Sequence, residues 1–301
     1  MKTIVDYVLI CIIHLAIISC NGSNKDSLSF EDHQWIHGSA DCDTNNDPLI
    51  QVFQYNRNTW ILRQNKCVDY EAPFMFLFLG DKKAILFDTG ATKGDSLFPL
   101  FKTVRQLLLD ATGDKDLSKE LIVAHTHSHS DHFAADSQFI GKPNITVVGL
   151  ELSDVVNFFN IQNWPSTIGS YDLGNRNLQI IPVPGHERTS IAIYDRQTGL
   201  LLTGDIFYPG RLYVRDWAEF KHSIKRLVEF SNIHDVSYLL GCHIEMSRNA
   251  GIDYSIGSTY HPEEHQLHLT TKDLNDLNIE LEIIGDKPIK KIMDKFIIYP
   301  V

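Results

Sequence analysis

The sequence predicts an α/β fold in which two sheets are covered by helices. Short apolar runs rich in Val, Ile, Leu and Phe recur from Ile50 to Tyr299, at lengths suited to buried strands. Segments with helical apolar spacing interrupt these runs instead of following them as a separate block. Several runs also stop at a His or an Asp, where a layered α/β fold places its functional side chains.

Composition bounds the problem. The chain has 301 residues, 43% hydrophobic and 22% charged, which is globular and long enough for a sizeable core. A formal net charge of −11 argues against nucleic acid, which needs clustered Lys and Arg, and is read as a solubility device. The expected partner is a small-molecule substrate.

The N-terminal residues stand outside the predicted fold. Tyr7 to Ile18 is an apolar run broken only by His14, behind the lone positive charge of Lys2. It is short for a bilayer span and fits the apolar region of a signal peptide. It ends in Ile17-Ile18-Ser19-Cys20, which resembles a bacterial lipoprotein signal. Residues 1–19 are therefore expected to be a signal, with Cys20 lipidated, and the chain to sit in the bacterial cell envelope. Lipid on Cys20 would be its one membrane contact; the alternative is a plain secretory signal. Polar residues 20–48 read as a flexible tether, and 49–301 as one catalytic domain. Cys42, Cys67 and Cys242 remain, an odd set in which a Cys42–Cys67 disulfide is one possibility.

From Ile50 onward the elements follow in order. Ile50 to Tyr55, Thr59 to Leu62, Phe74 to Leu79 and Lys83 to Phe87 read as strands, the last two joined by a turn at Gly80-Asp81. Ser96 to Leu109 has helical spacing and closes at Thr112-Gly113. Leu121 to Ala124 is a strand, Asp131 to Ile140 a short helix, Ile145 to Val148 a strand and Leu152 to Phe159 a helix. Leu178 to Val183, Ile191 to Tyr194 and Leu200 to Leu202 are three more strands. Asp216 to Glu219 is a capping box opening a helix to about Phe230, and Val236 to Leu240 is a strand. Beyond Glu245 the pattern weakens. Asp286 and Pro288 mark a helix start, and Phe296 to Tyr299 a final strand.

The chemistry concentrates at the end of one strand. Ala124-His125-Thr126-His127-Ser128-His129-Ser130-Asp131-His132 packs four imidazoles and a carboxylate into nine residues. Imidazole suits zinc and its neighbours, and Asp131 adds a hard oxygen. A histidine-rich surface loop would carry the same letters, but the flanking strand and helix signals are those of a packed element.

The pattern HxHxDH formed by His127, His129, Asp131 and His132 resembles the metallo-β-lactamase superfamily, and the resemblance extends over most of residues 50 to 250. Phe87-Asp88-Thr89-Gly90, Pro184-Gly185-His186, Thr203-Gly204-Asp205 and Gly241-Cys242-His243 fit that family's further motifs in order. The resemblance implies a four-layer αββα sandwich with two divalent metal ions, most simply zinc, in a cleft at its edge. It places the first metal on His127, His129 and His186, and the second on Asp131, His132 and His243. Asp205 would bridge both, and Asp88 would brace the loops. His125 is expected to support the cluster. His222, His234, His261, His265 and His268 read as surface or structural, the last two facing one way if helical.

Function follows as an expectation. Two such ions bring a bridging water toward neutrality, and the hydroxide attacks an ester, thioester or lactone carbonyl. Asp131 would also orient the nucleophile. The best-known β-lactamases of the superfamily place a cysteine at the Asp205 position or lack the bridging ligand. Asp205 instead resembles hydroxyacylglutathione hydrolases, acyl-homoserine lactonases and phosphodiesterases. Tyr208, three residues on, matches a tyrosine that holds the substrate carbonyl in lactonases; ordinary packing is the alternative. Arg211, Tyr213 and Arg215 are candidates for an anionic substrate group. The alternatives are a β-lactam or phosphodiester hydrolase on the same site, an iron-dependent enzyme of the persulfide dioxygenase kind, and a non-catalytic binding lipoprotein.

Overall fold

The computed structural model describes residue 30, residues 33–116 and residues 118–301. The expected signal and Cys20 lie outside the described residues. The chain opens with β1 (Ile50–Asn56), β2 (Thr59–Gln64), β3 (Phe74–Leu79), β4 (Lys83–Phe87), α1 (Leu100–Thr112), β5 (Glu120–Ala124), α2 (Ser130–Phe133), β6 (Ile145–Val147) and α3 (Leu152–Phe158). It continues with β7 (Gly169–Asp172), β8 (Asn177–Pro182), β9 (Ile191–Asp195), β10 (Leu200–Gly204), β11 (Arg211–Val214), α4 (Trp217–Ser231) and β12 (Tyr238–Gly241). It closes with β13 (His268–Leu269), α5 (Thr271–Ile284), β14 (Lys291–Ile292) and β15 (Ile297–Pro300).

Strands β1 to β6 form one six-stranded sheet in sequence order, and a second runs β13-β12-β10-β9-β8-β7. The period of two in each strand sorts side chains into layers. Phe76, Phe78, Ile85, Phe87 and Ile122 meet Ile180, Ile193, Leu202 and Leu240 between the sheets. Their neighbours Leu77, Leu86 and Val123 pack outward against Leu100, Val104 and Leu108 of α1. On the far side, Ile181, Ala192, Leu201 and Leu239 meet α4 and α5. The result is the αββα sandwich. Central strands are buried on both faces, which is why they read as continuous apolar runs.

Parallel pairing aligns the strand ends. β4 pairs parallel with β5, and β10 with β12. β8 is antiparallel to β9 and β9 to β10, so β8 runs with β10. The C-terminal ends of β8, β10 and β12 therefore share one edge. A small third sheet, β11-β15-β14, stands beside it.

Several expectations need correction. The tether predicted for 20–48 does not extend that far. Phe30 and Trp35 are buried in the inter-sheet core, Ile36 N–H donates to Gln51, and Gly38 bridges to Tyr260. The polar letters were misleading because an aromatic pair anchors the segment, and Cys42 is disulfide-bonded to Cys67. The helix expected over 131–140 splits into α2 and a 3-10 turn at Asp136–Gln138. Residues Asp286 and Pro288 do not start a helix. They follow α5, whose capping box at Thr270 and Asp273 the sequence reading passed over. His265 and His268 are not on a helix.

Candidate metal centre

Every residue of the expected ligand set lies on the loops at this edge. His127, His129, Asp131 and His132 follow β5, His186 follows β8, Asp205 follows β10 and His243 follows β12. The structure gathers them into two groups, His127 with His129 and His186, and Asp131 with His132, Asp205 and His243. Within the first, His129 Nδ1 lies 2.9 Å from His127 Nε2 and 3.0 Å from His186 Nε2. Within the second, Asp131 Oδ2 lies 3.2 Å from the Nε2 atoms of both His132 and His243. Asp205 Oδ2 joins the groups, at 3.4 Å from His243 Nε2, 3.5 Å from His132, 3.8 Å from His186 and 3.9 Å from His127.

The imidazoles are held from behind. His186 Nδ1 donates to Tyr213 O at 2.8 Å, and His243 Nδ1 to Glu71 O at 3.0 Å. His132 Nδ1 lies 3.0 Å from Asp88 Oδ2. Each arrangement fixes a hydrogen on Nδ1 and turns the Nε2 lone pair toward the centre. Asp88 is fully buried and also accepts from Thr126 N and Oγ1 and from the Cys242 thiol. His125 contacts Asp136 at 2.9 Å, as support for the loop.

The donor set fits a cation. Three ring nitrogens converge on one point, which hydrogen bonds alone do not satisfy, and Asp205 Oδ1 and His129 Nε2 are buried without a partner among the described residues. The electrostatics agree. Burial, then the neighbouring imidazoles, hold His127 well below its usual range, and burial brings His186 down to about 4. Burial opposes charge on His132 and His243 too, yet Asp131 and Asp205 raise both well above the usual imidazole range. Asp131 and Asp205, desolvated as they are, are held low by those same rings. The site is built around positive charge at its middle.

Residues 69–267 match the model of the metallo-β-lactamase superfamily. The chain belongs to that superfamily. Among curated metallo-β-lactamase relatives, the acyl-coenzyme A thioesterase MBLAC2 of Homo sapiens is 27% identical over 190 residues, 52% of this chain and 67% of that protein. The hydroxyacylglutathione hydrolase of Gloeothece citriformis (strain PCC 7424) is 32% identical over 123 residues, 38% of this chain and 48% of that one. The metallo-β-lactamase FIM-1 from Pseudomonas aeruginosa, solved in its mono-zinc form, shares the fold with a TM-score of 0.51 at 16% identity, over 81% of this chain and 99% of its own. This metallo-β-lactamase-fold chain is a metal-dependent hydrolase.

Two expected substrate contacts are placed elsewhere. The Tyr208 hydroxyl is buried, donates to Arg211 O at 2.5 Å and faces Glu245 at 3.2 Å. A phenol has one hydrogen to donate, and here it is engaged within the protein. Arg211 is spent on Glu245, Asp253 and Tyr254 O, so it is not a free anion receptor. Sequence reading missed Cys242 and the carbonyls of Glu71 and Tyr213. The carbonyls had no signal, because any residue carries one.

Proposed function

We propose that the protein is a dinuclear zinc hydrolase cleaving an ester, thioester or lactone carbonyl, with thioesters first. The observation that carries this is Asp205 Oδ2, set 3.4–3.9 Å from ring nitrogens of both ligand groups. A carboxylate between two histidine sets suits a bridge between two ions. The relative named as a thioesterase favours the substrate class. His127, His129 and His186 would hold one ion, Asp131, His132 and His243 the other. When bound, such ions supply a water acidic enough to be a nucleophile near neutral pH and an electrophile for the carbonyl oxygen.

The protein's own residues do the positioning. Asp131 is the acid with the most open side chain in its group, 21% exposed against 9% for Asp205, so it is the one placed to orient an attacking water. Asp88 fixes the His132 ring, and the Tyr213 and Glu71 carbonyls fix His186 and His243. We further propose export to a bacterial envelope, with Cys20 as lipid anchor, a reading the Cys42–Cys67 disulfide supports. Incorporation of labelled fatty acid, lost in Cys20→Ala, tests that part.

For the reaction, the zinc-loaded protein is assayed on thioesters, esters, lactones, β-lactams and phosphodiesters, with metal counted by elemental analysis. Thioester turnover with two zinc ions per chain, abolished by chelation and restored by zinc, is the expected result. Turnover indifferent to chelation would falsify the reading.

A further inference from the structure

A cavity of about 70 Å³ is lined by Lys66, Glu71, Tyr213, Glu245, Tyr254 and His261 among others. Its walls continue the segments that steady the ligands. Glu71 and Tyr213 supply the carbonyls behind His243 and His186, and Glu245 lies two residues past His243. One of its carboxylates is already paired: Glu245 binds Arg211. Lys66 is different. It is 3% exposed, its Nζ has one hydrogen-bond acceptor, Tyr70 O at 3.2 Å, and it makes no ion pair among the described residues. An ammonium has three donors, so two are left over. Burial pulls it down to about 8, against the pull of the acidic residues around it, which leaves it charged near neutral pH.

His261 stands on the same wall. It is 4% exposed, stacked on Tyr254 with ring centroids 4.0 Å apart, and its Nε2 is buried with no partner among the described residues. Its Nδ1 faces Glu264 at 3.3 Å, and a carboxylate only accepts, so Nε2 is left with its lone pair. Disulfide-bonded Cys67 fixes the backbone next to Lys66. A buried cation with spare donors beside a buried lone pair is costly unless something polar completes both.

We propose that Lys66 and His261 form a specificity subsite for a carboxylate on the substrate, with an adjoining N–H or O–H of that substrate facing His261. The inference rests on the hydrolase reading above. It narrows the substrate to a carboxylate-bearing acyl or leaving group.

Matched probes decide it. Zinc-loaded wild-type protein is assayed on the succinyl and butanoyl thioesters of N-acetylcysteamine, and on butanoyl thioesters of thioglycolate and ethanethiol. We expect kcat/KM to favour the carboxylate member of at least one pair by about tenfold or more, as a hydrogen bond to a charged group implies. The ratio collapses toward one in Lys66→Met, chiefly through KM, and persists in Lys66→Arg. Equal ratios in wild type and Lys66→Met would overturn the subsite. Calorimetric titration of the metal-free protein with succinate or thioglycolate is independent of turnover. Binding lost in Lys66→Met and weakened in His261→Asn supports the subsite even if no thioester is cleaved, and binding indifferent to both substitutions overturns it.

Discussion

At the scale of single residues, the centre depends on Asp205 and on the groups behind the rings. Asp205→Asn removes the negative charge from the side chain that lies close to both groups. On the two-ion reading proposed above, it is expected to lower bound zinc from two per chain toward one and to cut turnover by at least the roughly 10–100-fold typical of lesser, outer-layer changes. Elemental analysis beside initial rates checks both. Asp88→Asn, behind the His132 ring, releases His132, Thr126 and Cys242 together. A loss of about 10–100-fold in metal affinity, with the fold intact by circular dichroism, is the expected outcome. Tyr208→Phe is the contrasting case. Its hydroxyl serves Arg211 O and Glu245, so melting should show a cost of about 0.5–1.5 kcal/mol while turnover is unchanged.

At the scale of elements, strand ends make the site, and one turn shows how narrow the tolerance is. Gly185 joins β8 to His186 at φ +135°, and a Cβ there would lie 2.5 Å from the Phe220 backbone in α4. Gly185→Ala must push α4 or His186 aside. It is expected to cost about 1–3 kcal/mol and to weaken zinc binding, read by denaturant melts and metal titration. This is also where the sequence was most legible. Central strands β3, β4, β5 and β10 announce themselves because both faces are apolar, and the candidate ligands after β5 and β10 stand just past such runs. The two-residue strands β13 and β14 and the small strand β11 carry no period long enough to read. Residues 33–48 do not announce their packing because composition there is polar, while contacts that hold them, Trp35 on Phe74 and Arg63 on Ile36 O, come from distant segments. Tyr208 was ambiguous because offset from Asp205 says nothing about where a hydroxyl points.

At the scale of the molecule, a buried ion pair fastens the loop after β12 to the first sheet. Arg63 of β2 grips both oxygens of Glu264, at 2.5 and 2.6 Å, across more than half the sequence. Burial opposes the Glu264 charge, but Arg63 wins and holds the carboxyl at about 2, below its ordinary 4.5. A depressed carboxyl stabilises the fold above the unfolded value and loses that contribution as pH falls through the folded one. Glu264→Gln should therefore cost about 3–5 kcal/mol at neutral pH, where it strands Arg63. Its deficit relative to wild type should shrink as pH falls from about 4.5 to about 2 in acid melts. A deficit constant across that window would show that the pair is not ionised. The third sheet carries a different consequence, about time. Tyr213 O, which steadies His186, lies in β11, and β11 is paired residue for residue with β15, Tyr213 opposite Tyr299. All seven candidate ligands precede β15 in the sequence. A nascent chain arrested past His243 thus owns every metal-binding side chain but not the strand that sets one of them. The expected consequence is that a chain truncated before β15 binds metal more weakly than the full chain, which metal titration of the two would check.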